Sequence, residues 1–241
     1  MADVPQTRIE VPIGPYTASG DPEATIPMVT LDCDHVMEAY IRTNQHDRDP
    51  YWTCIWPSSQ AIAALVLDGD LRLENRRVAD FGAGLGLAGV AAAKAGAGEV
   101  MFLDRETLSL ECCMANAELN GVADRVVPYE FDWNLPPGPL EHAFDVILVC
   151  DCLYEKFSVE PIARVLPRLL SQSPGATIVL ADPPNRAKAN REKFLGLMKV
   201  FEFEVQEERR VDVNEMMDGG FRQTEIVLLS LVRRTTRCEP L

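Results

Sequence analysis

Two acidic residues frame a glycine-rich turn in this chain. The run Val78-Ala79 ends in Asp80, and Phe81-Gly82-Ala83-Gly84-Leu85-Gly86 then leads into the apolar stretch Leu87-Ala88-Gly89-Val90-Ala91-Ala92-Ala93. That order reads as strand, turn and helix, with glycines that let backbone approach a ligand a β-carbon would exclude. Asp104 closes the next apolar run, Val100-Met101-Phe102-Leu103, where a carboxylate can hold the two hydroxyls of a ribose. Together these features describe a nucleoside-cofactor site at the carboxyl edge of a parallel sheet.

Gly84-Leu85-Gly86-Leu87-Ala88-Gly89 also satisfies the G-x-G-x-x-G dinucleotide pattern, with Asp104 at a suitable distance. Asp80 argues against NAD, because a pyrophosphate wants positive potential and bare N–H groups where this acid stands. A carboxylate there suits a cationic ligand. S-adenosylmethionine carries an ammonium and a sulfonium and no phosphate, so it is the expected cofactor, with S-adenosylhomocysteine as product.

Ligands of open α/β sheets bind beyond the carboxyl ends of the strands, and three further ends carry candidates. Phe131-Asp132-Trp133 follows a strand over 125–130. Asp132 can take the adenine amino group, and Trp133 can cover the purine face with a stack worth about 0.5–1.5 kcal/mol beyond burial; an ordinary core tryptophan is the alternative. Cys150-Asp151-Cys152-Leu153-Tyr154 ends a strand over 144–150. An acid directly after an apolar run is costly to bury without a purpose or a partner, so Asp151 reads as functional or as a capping or salt-bridged aspartate. Asp182-Pro183-Pro184-Asn185 follows a strand over 176–181. It invites comparison with the D/N-P-P-aromatic motif of amino-methylating nucleic-acid enzymes but lacks the aromatic, and a rigid wall of the acceptor pocket fits it better.

The positioning elements alternate as strands and helices. Pro57 opens a helix that runs to Leu67, with Ile62, Leu65 and Val66 on its apolar face. Glu106 to Asn120 reads as a helix with a stripe of Leu108, Cys112, Ala115 and Leu119, stopped by Gly121. Helices are also expected over 160–170 and over 186–200, the latter with Phe194, Leu197 and Met198 inward. Strands over 201–211 and 224–232, separated by a loop at 216–220, are most simply antiparallel. The expected fold is therefore α/β, a Rossmann-like seven-stranded sheet of five parallel strands plus a C-terminal antiparallel pair, an ending unusual for an NAD domain. Residues 1–50 are punctuated by prolines and acids, with a β-ribbon expected near Arg8-Ile9-Glu10-Val11 and no assignment for 32–46. They read as an N-terminal extension or cap on a domain over 51–241.

Composition narrows the function. The net charge is −14, which repels polyanions, so nucleic acid is not expected as a substrate and a basic protein partner is. Arg186-Ala187-Lys188 through Lys193, and Arg233-Arg234 to Arg237, read as solvated faces. The seven cysteines (33, 54, 112, 113, 150, 152 and 238) are odd in number and contain no C-x-x-C pair, which points to reduced thiols in a cytosolic protein and no metal site. No apolar run reaches the roughly 18 residues of a membrane span. The first forty residues hold one arginine against seven acids, which opposes a mitochondrial transit peptide. A cytoplasmic monomer is expected.

Taken together, Ile55-Trp56-Pro57-Ser58-Ser59, Asp80-Phe81-Gly82-Ala83-Gly84-Leu85-Gly86, Asp104, Asn116, Phe131-Asp132-Trp133 and Cys150-Asp151-Cys152-Leu153-Tyr154 resemble the seven-strand protein-lysine methyltransferases with an Asp-x-x-Tyr motif after the fourth strand. The Ile55-Trp56-Pro57 and Asp182-Pro183 segments look closest to the branch that modifies the electron-transfer flavoprotein beta subunit. The resemblance implies cofactor contacts from Trp56, Gly82, Ala83, Gly84, Asp104, Trp133 and Cys150, and an acceptor site shaped by Asp151 and Tyr154. Two rivals share the cofactor half: a small-molecule N-methyltransferase lidded by residues 1–50, and an inactive cofactor-binding interaction module.

Overall fold

The computed structural model describes residues 4–14, 24–217 and 219–234; Arg237 and Cys238 lie outside them. An antiparallel ribbon of β1 (Gln6–Pro12) and β2 (Thr25–Leu31) opens the chain, followed by α1 (Cys33–Arg42) and α2 (Pro57–Leu67). The alternating part runs β3 (Arg77–Phe81), α3 (Leu87–Lys94), β4 (Glu99–Asp104), α4 (Thr107–Leu119), β5 (Val126–Glu130), β6 (Val146–Cys150), α5 (Val159–Leu169), β7 (Thr177–Asp182) and α6 (Lys188–Val200). It closes with β8 (Phe203–Met217) and β9 (Gly220–Arg233).

The seven-stranded sheet has the order β5-β4-β3-β6-β7-β9-β8. The first five are parallel, and β9 runs antiparallel to both β7 and β8. This is the expected sheet. Its strand order reverses beside β3, which has β4 on one side and β6 on the other, and such a switch point opens a crevice at the strands' carboxyl ends.

The parallel strands are continuous apolar runs because both faces are covered. Successive side chains point to opposite faces: Val78, Val100, Phe102, Val146 and Leu148 join the core on the α2–α4 side, and Ala79, Phe81, Leu103, Ile147 and Val149 join the core under α5 and α6. Val11, Ile26, Met28, Val36 and Tyr40 belong to the first of these cores. The N-terminal segment therefore packs into the sheet's own interior.

Four local readings change. The unassigned stretch 32–46 contains α1, capped by Asp32, whose Oδ1 accepts from the His35 N–H at 2.9 Å. Helix α2 is buried nearly all round, Ala61, Ala63 and Ala64 included, because the sheet covers one side and the Gln60 amide bonds Pro12 of the ribbon at 3.1 Å on another. The inward face of α4 is Ser109, Leu110, Cys112, Cys113, Asn116 and Ala117, rotated from the expected stripe because Ser109, Cys113 and Asn116 bond glycine-turn carbonyls. The last two strands extend past the body of the sheet to pair Met217 with Gly220. The backbone ladder of that hairpin runs to its tip, ion pairs such as Arg210–Glu225 at 2.7 Å cross it on the exposed side, and Val211, Val213 and Ile226 anchor it to the core.

Helix α3 lies so close to β4 that a β-carbon built on Gly89 would stand 2.4 Å from Phe102 Cε1 and 2.9 Å from Asp80 Oδ2. Gly89→Ala gains helix propensity but forces apart the helix and the strand. The net expectation is a loss of about 1–3 kcal/mol, the usual cost of overpacking. A urea midpoint equal to or above that of the wild type would show the contact to be soft.

Candidate functional site

A cavity of about 510 Å³ opens at the carboxyl ends of β3, β4 and β6 and beside the turn after β5. Of the residues singled out in the sequence, Trp56, Gly82, Ala83, Gly84, Asp104, Asp132, Trp133, Cys150, Asp151 and Tyr154 all line it. Asp80 does not.

The glycine turn is bonded to the end of β4. Gly82 and Ala83 donate to the Leu103 carbonyl at 2.8 and 3.1 Å, Gly84 donates to Asp104 Oδ2 at 3.0 Å, and Gly86 donates to the Ala83 carbonyl at 2.8 Å. Gly82, Gly84 and Gly86 all have positive φ, a region open to glycine without a β-carbon penalty. At Gly82 a β-carbon would also meet Cys152 Sγ at 2.8 Å. These four amides are engaged within the protein and are not available to a pyrophosphate.

Asp80 follows from strand parity. Its side chain points to the α3 face of the sheet, where Oδ2 accepts the Gly89 N–H at 2.8 Å. The N-cap position of α3 is Gly86, without a side chain, so Asp80 supplies the carboxylate that satisfies an N-terminal amide and complements the helix dipole. The expected contact with a cationic ligand becomes a structural one beneath the turn. Burial pushes the Asp80 pKa up to about 7, the Gly89 amide opposes that shift, and the Asp104 charge adds to it.

Asp104 carries one backbone N–H on each oxygen, from Gly84 and from Glu106 at 3.0 Å. The Ser109 hydroxyl is a further donor to the carboxylate, whose two oxygens have room for about four hydrogen bonds in all. Burial raises its pKa, and the Glu106 and Gly84 amides hold it down. Trp133 stacks on Phe81 with centroids 5.8 Å apart and 24° between the planes. Asp132 Oδ1 accepts both the N–H and the side-chain amide of Asn134 at 2.8 Å, fixing the turn that presents Trp133.

At the other end Asp151 adopts φ 53° directly after β6, a left-handed conformation that is uncommon for a residue with a β-carbon and often marks functional sites. Only 3% of its side chain is exposed, and it is paired with the Arg186 guanidinium. Burial raises the Asp151 pKa, and Arg186 is the strongest opposing influence. The Arg186 guanidinium also lies over Trp56, 4.6 Å from the ring centroid. Tyr51 meets Trp56 and Tyr154 edge-on, at 6.3 and 6.2 Å. Burial pushes up the pKa values of the Tyr154 hydroxyl and of the Cys150 and Cys152 thiols, so none of them is an anionic nucleophile near neutral pH.

Two readings of the sequence change at this end. Arg186, read as part of a solvated basic face, lines the cavity, because α6 begins at Lys188 and leaves it in the preceding loop. Asp182, expected in a pocket wall, is buried behind the cavity and paired with Arg191, whose guanidinium also bonds the carbonyls of Pro183 and Pro184 at 3.0 and 2.6 Å. The Asp-Pro-Pro segment thus fixes the loop that presents Arg186. Tyr51 was not singled out either; its aromatic spacing from Trp56 was the available signal.

Residues 36–201 match the lysine methyltransferase family. The electron transfer flavoprotein beta subunit lysine methyltransferase of Xenopus laevis is 30% identical over 56% of this chain and 53% of its own length. The calmodulin-lysine N-methyltransferase of Arabidopsis thaliana is 27% identical over 75% of this chain and 60% of its own. The chain thus spans about half to three-fifths of the length of these curated relatives. Among solved structures, the ribosomal protein L11 methylase of Lactobacillus delbrueckii subsp. bulgaricus aligns with a TM-score of 0.54 at 18% identity, covering 74% of this chain and 79% of that one. This likeness establishes the fold.

The raised Asp80 pKa makes a signed prediction. Because its folded value, about 7, lies above the unfolded value of 3.8, the folded state holds the proton more tightly. Its contribution is fully present below the unfolded pKa and declines as pH rises through about 7. Asp80→Asn keeps an oxygen for the Gly89 N–H and cannot ionise. The stability of the wild type minus that of Asp80→Asn should therefore fall between about pH 4 and 7, and urea titrations giving a pH-independent difference would contradict the assignment.

Proposed function

The chain belongs to the lysine methyltransferase family, and from that premise we propose that it transfers the methyl group of S-adenosylmethionine to a lysine side chain of a protein. The observation that carries this reading is one continuous cavity joining the Asp104–Trp133 end to the Asp151–Tyr154 end. Its volume falls within the few hundred to about 1,000 Å³ usual for small-molecule sites.

The cofactor's chemical contribution is an electrophilic methyl on a cationic sulfur. Asp104 would hold the ribose hydroxyls, and Trp133 would cover the adenine. The acceptor amine must be neutral to react, yet lysine has a pKa near 10.4, so deprotonation at pH 7 costs about 4.6 kcal/mol. A partly desolvated pocket walled by Tyr51, Trp56 and Tyr154 lowers that cost by disfavouring the ammonium. Asp151 orients the amine; as a carboxylate beside an ammonium it raises the amine pKa, so it is not cast as a strong base. Positioning supplies most of the remaining acceleration.

The relatives' names, which specify an electron-transfer flavoprotein subunit and calmodulin, support a protein acceptor. The small-molecule reading expects a lid from residues 1–50; Asp47 and Asp49 of that segment line the cavity, and none of the described residues between 4 and 46 does. A cytosolic, monomeric enzyme with a basic partner remains part of the proposal. Tritiated methyl donor, resolved on a gel with calmodulin, the flavoprotein subunit or cell extract as acceptor, tests the reading. A labelled protein band supports it, and label only in small molecules overturns it.

Asp104→Ala should weaken S-adenosylhomocysteine binding by about 1.5–3 kcal/mol, the range for hydrogen bonds to a charged group. An unchanged dissociation constant in calorimetry would remove Asp104 from the site. Asp151→Ala should bind the same ligand within a few-fold yet lose at least about a hundredfold in transfer, the scale of a misplaced reacting group. If the variant melts early and its folded fraction methylates normally, Asp151 is only structural.

A further inference from the structure

The acceptor end of the cavity already holds a cation. Arg186 is paired with Asp151 and lies over the Trp56 face, the two features that would bind a substrate alkylammonium there. Its side chain is 41% exposed, against 3% for Asp151. The second oxygen of Asp151, Oδ2, is sealed from solvent, Ser58 flanks the carboxylate within the protein, and Arg186 covers Oδ1. The residue sits in the loop between β7 and α6, one end of which is clamped by Arg191 through Asp182, Pro183 and Pro184. The clamp fixes the base of that loop, and the Arg186 side chain borders solvent. Glu215 on β8 is near enough for the Arg186 charge to act on it, giving the displaced cation an acidic neighbour.

We infer that Asp151 and Trp56, flanked by Tyr51 and Tyr154, form a cation subsite that admits an alkylammonium ligand only by exchange with Arg186. This deepens the proposed function and rests on it for the identity of the natural ligand. Arg186 is then a specificity residue. An uncharged side chain offers nothing to replace its ion pair, whereas a lysine ammonium restores that pair and a cation–π contact with Trp56.

The test titrates Nα-acetyl-lysine methylamide into the full chain in the presence of S-adenosylhomocysteine, with Kd read by NMR. Arg186→Ala and the longer Arg186→Gln should each bind the probe at least tenfold more tightly than the wild type, because no resident cation must leave. Adding Asp151→Asn to Arg186→Ala should abolish that gain. Equal or weaker binding by both Arg186 variants, or no detectable binding to any form, overturns the exchange. Transfer of tritiated methyl by the wild type is measured alongside. Normal transfer with no gain in affinity refutes the exchange and leaves the methyltransferase reading intact. A gain without any transfer supports the subsite and refutes that reading.

Discussion

The last two residues of β4 hold the glycine turn, and the rest of the site depends on that grip. The Leu103 carbonyl takes two consecutive amides of the turn, and the Asp104 carboxylate takes a third. The parallel register that pairs Phe81 with Leu103 brings these groups side by side. From the other flank, Ser109 and Cys113 bond the Gly84 carbonyl, and Asn116 bonds that of Leu85. A turn so tied is ordered before a ligand arrives, so binding does not carry the entropic penalty of ordering it. In the G-x-G-x-x-G stretch the glycines serve close packing and turn geometry, and the Gly84, Gly86 and Gly89 amides are all bonded within the protein.

The grip extends to the N-terminal segment through the next residue but one. Glu106, whose N–H reaches Asp104, is buried and accepts from Tyr40 at 2.8 Å, Arg48 at 2.6 Å and Arg105 at 3.1 Å. Trp52 in turn donates to the Tyr40 hydroxyl at 2.9 Å. Asn116 adds a second fastening by pairing with both the N–H and the carbonyl of Val29 in β2, at 2.6 and 3.1 Å. A buried carboxylate is tolerable because charged and neutral donors surround it; removing one of them would leave the charge uncompensated. The network therefore joins the cofactor end to the segment that delivers Tyr51 and Trp56 to the acceptor end.

What could be read from the sequence, and what could not, divides along the range of the interactions. The strands were legible because burial on both faces writes itself as unbroken apolar runs, and strand ends were legible because an acid after such a run is conspicuous. Asp104, Trp133, Asp151 and Tyr154 all reached the cavity by that logic. Asp80 passes the same test and sits elsewhere, because it lies one residue inside the end of β3 and its carboxylate is buried against the Gly89 N–H. The α4 stripe was misjudged because hydrogen bonds to a distant turn draw Ser109 and Asn116 inward, where periodicity expects apolar residues. The terminal hairpin was cut short because its outer half is charged, although Asp218-Gly219 was a turn signal in the sequence. Arg186 differs from its expected place because a helix boundary shifted by two residues turns a surface cation into a lining one.

That last residue bears on how the acceptor end can be both buried and reactive. An unpaired Asp151 in this corner would be costly, and the burial that raises its pKa measures the tendency to neutralise it. Pairing with Arg186 opposes that tendency and supplies the carboxylate with a countercharge. The proposed exchange of one cation for another would preserve that balance, whereas a neutral ligand would strand the carboxylate. In the proposed reaction the requirement reverses once the lysine is seated, because the amine must shed its proton to react. Desolvation among Tyr51, Trp56 and Tyr154 works toward the neutral amine while Asp151 works against it. The site is therefore balanced between selecting a cation and using a base. Aromatic walls suit both, since they exclude water from the amine and can face a methylated ammonium with their π-electrons.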